Sequence, residues 1–223
     1  MRLPDLHRRL LNDVLDSGGA YRLALAGGYA IQAHGLINRV SQDLDLATDA
    51  PEDLSEITNT IAAGLRGRGW TVHTDEVTPR MARLRVTDTT GDSCELDVLK
   101  EIFHRPPVAT KAGLTLSLDD AVGLKMRALH DRGIPRDVID VFSAHDLYTI
   151  TEFERLGAQH DEQFDLEELR DRLEAVDSTS DEEYTTYGVQ EDAIADLRNW
   201  VQLWLDNLGQ RLAGPYTEDS DGG

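Results

Sequence analysis

Asp43 and Asp45 flank Leu44 in the run Asp43-Leu44-Asp45-Leu46. On an extended chain the period of two puts both carboxylates on one face and both leucines on the other. Cys94-Glu95-Leu96-Asp97-Val98 alternates in the same way, aiming Cys94, Leu96 and Val98 at a core and Glu95 and Asp97 away from it. Two such strands can bring Asp43, Asp45 and Asp97 together. Three carboxylates at close range repel one another, and a divalent cation removes that cost. Hard oxygen donors suit Mg2+, which keeps water and substrate phosphates in its remaining positions. The chemistry open to such a site is displacement at phosphorus, with one or two ions serving the attacking and leaving oxygens. Taken alone, an Asp-x-Asp strand is more often only the solvent face of a sheet.

The segment before it changes that balance. Gly27-Gly28 follows the apolar run Tyr21 to Ala26, which reads as a strand, and precedes a helical pattern starting at residue 28. Glycines at a strand-to-helix junction let backbone N–H groups approach a phosphate, although they also serve simple turn geometry. Further on, Leu118, Val122, Lys125 and Leu129 fall in one helical stripe with Ala121 beside them, so Lys125 occupies a place where leucine is expected. Its stem could pack while the ammonium reaches water, or the ammonium could meet a phosphate.

The stretch Gly27-Gly28-Tyr29-Ala30-Ile31-Gln32-Ala33-His34-Gly35, followed by Arg39-Val40-Ser41-Gln42-Asp43-Leu44-Asp45, resembles the AbiEii toxin family. These are nucleotidyltransferases of type IV toxin–antitoxin and abortive-infection systems, within the polymerase-β-like superfamily. Asp97 stands at the place of the family's third carboxylate. Lys125-Met126-Arg127-Ala128-Leu129, Arg132 and Arg136-Asp137-Val138-Ile139-Asp140 are similar to its later motif. The resemblance implies transfer of a nucleoside monophosphate from an NTP, with Mg2+ on Asp43, Asp45 and Asp97. It implies catalytic roles for these three with Lys125 and Asp140, and nucleotide contacts from Gly27, Gly28, Arg39, Ser41, Lys125 and Asp137. It further implies an RNA acceptor, such as tRNA, and a cognate antitoxin. Arg39 and Ser41 read otherwise as turn residues, and Asp137 as an exposed acid of a first helical turn. Asp137 and Asp140 would position Lys125 or a metal-bound water. His34 reads as structural, Cys94 as a core residue, Trp200 and Trp204 as packing, and Arg83-x-Arg85 as a polar strand face, either an acceptor patch or, as exposed strand arginines usually are, without a special role.

The elements that must position these residues divide at Pro106-Pro107. Before it, helical spacing predicts helices over 3–16 and 52–66, and alternation predicts strands near 21–26, 43–47, 70–73, 81–86 and 94–99. After it the pattern predicts helices over 118–131, 136–148, 151–157, 165–175 and 191–211. The expected fold is α/β (α+β), a nucleotidyltransferase core with a short mixed sheet of about five strands. The expected domains are an α/β domain over 1–107, a helical domain over 108–213 and a disordered acidic tail over 214–223.

Composition narrows the class. The 223 residues carry 22 Lys and Arg against 42 Asp and Glu, a net charge of −20, and 40% are hydrophobic, enough for a core. A single cysteine excludes a disulfide-stapled secreted fold. No run of about 18 apolar residues could span a membrane, and a cytoplasmic protein is expected. The acidic surface repels phosphate, so an RNA substrate needs a local patch. That charge keeps a small-molecule nucleotidyltransferase as the first alternative. A non-catalytic, antitoxin-like interaction module is the second.

Overall fold

A computed structural model describes residues 3–37 and 41–213. Arg39 and the tail over 214–223 therefore lie outside the described residues. The chain divides into two compact units, Met1–Lys125 and Met126–Gly223.

Among the described residues, the first unit is a seven-stranded mixed sheet with helices. Its elements are α1 (Asp5–Ser17), β1 (Ala24–Leu25), α2 (Gly27–Ala33), β2 (Leu44–Thr48), α3 (Leu54–Gly67), β3 (Thr71–Val77), β4 (Met81–Thr87), β5 (Ser93–Lys100), β6 (Val108–Thr110), β7 (Gly113–Thr115) and the first half of α4 (Leu118–Arg132). The strand order is β3-β4-β5-β2-β1-β7-β6. β2 pairs parallel with β5 and antiparallel with β1. The core lies on one face: Leu10, Leu11 and Val14 of α1 and Ile57, Ile61 and Leu65 of α3 join Leu44, Leu46, Leu84, Leu96 and Val98 of the strands. The helical spacing of the first six and the alternate spacing of the rest are what let one apolar layer form. The same alternation sends Asp45, Asp97 and Arg83 to the other face.

The second unit is helical. It holds the rest of α4, then α5 (Pro135–Phe142), α6 (Ile150–His160), α7 (Leu166–Asp177), α8 (Asp181–Thr186) and α9 (Glu191–Leu212). Capping boxes start two helices: Thr149 with Glu152 opens α6, and Ser180 with Glu183 opens α8. Each satisfies backbone N–H groups that a helix start leaves without partners. Ile194, Leu197, Val201, Trp204 and Leu208 form the buried stripe of α9. Trp204 is fully buried, stacks on Phe153 at 5.8 Å and donates its indole N–H to Glu154 at 2.9 Å. Packing is thus the role of that tryptophan, as its spacing suggests.

Several boundaries differ from expectation. The sheet has seven strands because Val108–Thr110 and Gly113–Thr115 form a hairpin on its edge. Three-residue strands are too short to show a period. They belong with the first unit, so the compact division falls after Lys125, within α4, and not at 107. β1 shrinks to two residues because Tyr21 lies in a 3-10 turn and Arg22 adopts a positive φ of 47°. α5 ends at Phe142, and α8 was not expected at all, although Ser180-x-x-Glu183 is a legible capping signal. Among the described residues, no helix is long and apolar enough to cross a membrane.

Candidate active site

The register of three adjacent strands builds the site. Asp45 on β2 sits opposite Asp97 on β5, and Asp97 sits opposite Arg83 on β4. Residues paired in this way share a face, so Asp45, Asp97 and Arg83 form a row across the sheet. Asp43 precedes β2 on the same side, and both Asp43 and Asp45 are half-buried.

Gly27 borders this row. Its φ is +55°, and a Cβ built there would lie 1.8 Å from Oδ2 of Asp45. The glycine is therefore demanded twice, by the left-handed backbone and by the Asp45 carboxylate that occupies the side-chain space. Gly28 is buried in the first turn of α2, and no side chain caps that turn. Ala26 donates its N–H to the carbonyl of Asp45 at 2.9 Å, locking the glycine turn to β2. Ser41 is buried and donates its hydroxyl to Oδ1 of Asp43 at 3.1 Å. His34 bonds the carbonyl of Leu116 at 2.8 Å through Nε2, which pins the end of α2 beside β7 and bears out its structural reading.

Asp97 is buried, and both its oxygens are held. Arg83 donates Nε–H to Oδ1 at 2.8 Å and an Nη2–H to Oδ2 at 2.6 Å. That fork raises the Arg83 pKa further above its ordinary value, hydrogen bonding to Asp97 outweighing burial, with the charges of Asp97, Glu95 and Asp43 adding to it. Arg85 is likewise tied to Asp75 at 2.9 Å. The Arg83-x-Arg85 face, read as either an acceptor patch or ordinary exposed arginines, is engaged by carboxylates. Cross-strand pairing, which spacing along one strand does not reveal, is the reason.

Asp43 and Asp45 offer oxygen donors of the kind a hard cation takes. The oxygens of Asp43, Asp45 and Asp97 do not all lie within 4.8 Å of one another, and among the described residues only His130, Asp131 and Asp161 do so. Sequence reading missed that second group, and its hydrogen bonds argue against an ion. Nε2 of His130 accepts the backbone N–H of Asp165 at 3.1 Å. A ring nitrogen that accepts leaves the proton on Nδ1, which faces Asp131 at 3.4 Å and Asp161 at 3.6 Å. No lone pair faces the two carboxylates. Buried and stacked on Phe164 at 4.7 Å, His130 ties α4 to the segment before α7.

Lys125 is half-buried on α4, where Ala121, Val122, Met126 and Leu129 are buried. In the second unit Asp137 and Asp140 are both fully buried. Asp137 accepts a two-pronged contact from Arg132, with Nε at 2.8 Å and Nη2 at 2.9 Å. The reading of Asp137 as an exposed first-turn acid is thereby corrected: burial needs a paired partner, and Arg132 supplies it. Cys94 is buried, and desolvation pushes its thiol up to about 12.

A mixed sheet with a glycine turn before an Asp-x-Asp strand, followed by a helical half, has the layout of a nucleotidyltransferase. The family model described as nucleotidyl transferase AbiEii toxin, type IV toxin–antitoxin system, matches residues 9–188, and the chain belongs to that family. Its structure is similar to MenT4, a nucleotidyltransferase toxin from Mycobacterium tuberculosis, with 19% identity and a TM-score of 0.61 over 94% of this chain and 86% of that one. It is also similar to JHP933 from Helicobacter pylori, with 15% identity and a TM-score of 0.57 over 95% of this chain and 97% of that one. Likeness at such identities speaks for the fold. No curated protein sequence matches the chain.

Proposed function

We propose that this chain transfers a nucleoside monophosphate from an NTP to an acceptor hydroxyl, using Mg2+ held by Asp43 and Asp45. The observation that carries the reading is the row of Asp45 and Asp97 in register, with Asp45 packed against the glycine turn. The donor set fits a hard divalent cation, which would supply charge neutralisation at the phosphates. Backbone N–H groups of Gly27 and Gly28 bind phosphate oxygens. Lys125 is assigned to the triphosphate on its motif. The acceptor oxygen bonds to the α-phosphorus, the bond to the β-phosphate side breaks, and pyrophosphate leaves. Each oxygen of Asp97 retains a lone pair beside the Arg83 fork. Asp97 is thus assigned either to a second ion or to the proton of the acceptor hydroxyl.

The family implies an RNA acceptor, such as tRNA, a cognate antitoxin and work in the cytoplasm. The net charge of −20 favours a second reading, a small hydroxylated acceptor on the same core. A non-catalytic module is disfavoured by the presence of all three carboxylates and Lys125. The test is label transfer from each of four radioactive NTPs into total RNA and into a panel of small hydroxylated compounds. Asp43→Ala with Asp45→Ala should lower transfer about a thousandfold or more. Undiminished transfer by that variant overturns the site.

A further inference from the structure

A chain of hydrogen bonds reaches Asp43 from α1, an element that carries none of the family's motifs. His7 is buried on α1, with Nδ1 2.6 Å from the hydroxyl of Tyr29 and the two rings edge to face at 5.7 Å. Tyr29 is fully buried two residues after Gly27, and its hydroxyl donates to the carbonyl of Ser41 at 3.1 Å. The phenol has one proton, so toward His7 its oxygen accepts, and Nδ1 of His7 is the donor. Burial holds the His7 pKa below its usual value, consistent with a neutral ring. Ser41 then donates its own hydroxyl to Asp43. One buried phenol thus ties α1, the glycine-turn helix and the residue that grips Asp43.

We propose that His7 is a positioning residue: through Tyr29 it fixes Ser41, and so the Asp43 carboxylate, beside the glycine turn. Partners of this kind orient a metal ligand without touching the ion, and their loss weakens metal binding. The inference rests on the nucleotidyl-transfer reading.

The test compares Tyr29→Phe, His7→Gln and His7→Asn with the parent chain, each confirmed folded by circular dichroism. The amide nitrogen of Asn can stand where Nδ1 stands, whereas that of Gln reaches toward the Nε2 position. Readouts are Mn2+ affinity by electron paramagnetic resonance and the separate kcat and KM for NTP. Tyr29→Phe and His7→Gln should weaken Mn2+ binding about tenfold and lower kcat more than they raise KM. His7→Asn should restore most of the affinity. Equal Mn2+ affinity in Tyr29→Phe and the parent overturns the inference, as does failure to distinguish His7→Asn from His7→Gln. A parent chain that binds no Mn2+ overturns the underlying reading and this inference with it. A parent that binds Mn2+ beside unaffected variants overturns this inference alone.

Discussion

Arg83 and Asp97 meet across β4 and β5 through two parallel N–H···O contacts at 2.8 and 2.6 Å. The pair puts a fixed cation in the carboxylate row at the position most distant from the glycine turn. Two-pronged arginine–carboxylate contacts combine charge with fixed geometry. Here the contact decides which lone pairs of Asp97 stay open.

Arg83→Gln should therefore act with opposite signs on stability and on cation binding. A buried carboxylate that loses its partner costs several kcal/mol, but 41% of the Arg83 side chain meets solvent, so the loss here is discounted to about 1–2 kcal/mol. Removal of a cation beside Asp43 and Asp97 should tighten Mn2+ binding. A urea midpoint and a Mn2+ titration on the same protein check both, and weaker Mn2+ binding in the variant refutes the electrostatic account.

Gly27→Ala should abolish most transfer. The new Cβ would meet Oδ2 of Asp45 at 1.8 Å, so the carboxylate must move by more than an ångström. Misplacement on that scale costs about a hundredfold in rate. Gly91→Ala supplies the control, because its φ is +94° with no heavy atom within 4 Å of the built Cβ. It should show only the backbone penalty of about 1 kcal/mol and keep full activity. Equal kinetic losses in the two variants would contradict the role given to Asp45.

Cys94 should be inert in the folded chain. Its buried thiol, raised to about 12, is almost wholly protonated at pH 8, and the thiolate is the reactive form. Reaction with a disulfide reagent such as DTNB should be slow in buffer and complete within minutes in denaturant. Fast labelling of the native protein would place Cys94 outside the core.

His7 predicts a pH dependence of stability. Burial depresses its folded-state pKa below 6.5, and the charge of Asp43 opposes that shift only in part. The unfolded state then binds the proton more readily. The contribution of a neutral His7 is full above pH 6.5 and is lost as pH falls through that value toward the lower folded one. Unfolding free energies between pH 5 and 8 should fall on the acid side more steeply for the parent than for His7→Asn. Parallel curves would exclude His7 as the source.

The shared face of Asp43 and Asp45, the outward place of Asp97 and the glycine pair Gly27-Gly28 were legible in local spacing, whereas the metal and phosphate roles proposed for them and for Lys125 came from the family resemblance. Alternation placed the two aspartates opposite Leu44 and Leu46, and the strand–glycine–helix order is a property of consecutive residues. Strands β2, β4 and β5 and the helices α1, α3, α6, α7 and α9 were visible for the same reason: each carries a periodic apolar face long enough to read. The hairpin Val108–Thr110 and Gly113–Thr115 was not, because three residues carry no period.

Periodicity along one segment states which face a side chain takes, and that much the chain determined alone. Which segment lies beside which is a matter of pairing between distant residues. The register that sets Asp97 against both Asp45 and Arg83 belongs to that second class. So do the burial of Asp137 under Arg132 and the link from His7 through Tyr29 to Ser41. The energy of such contacts comes from excluding water around charges and hydrogen bonds that only the closed tertiary fold brings together.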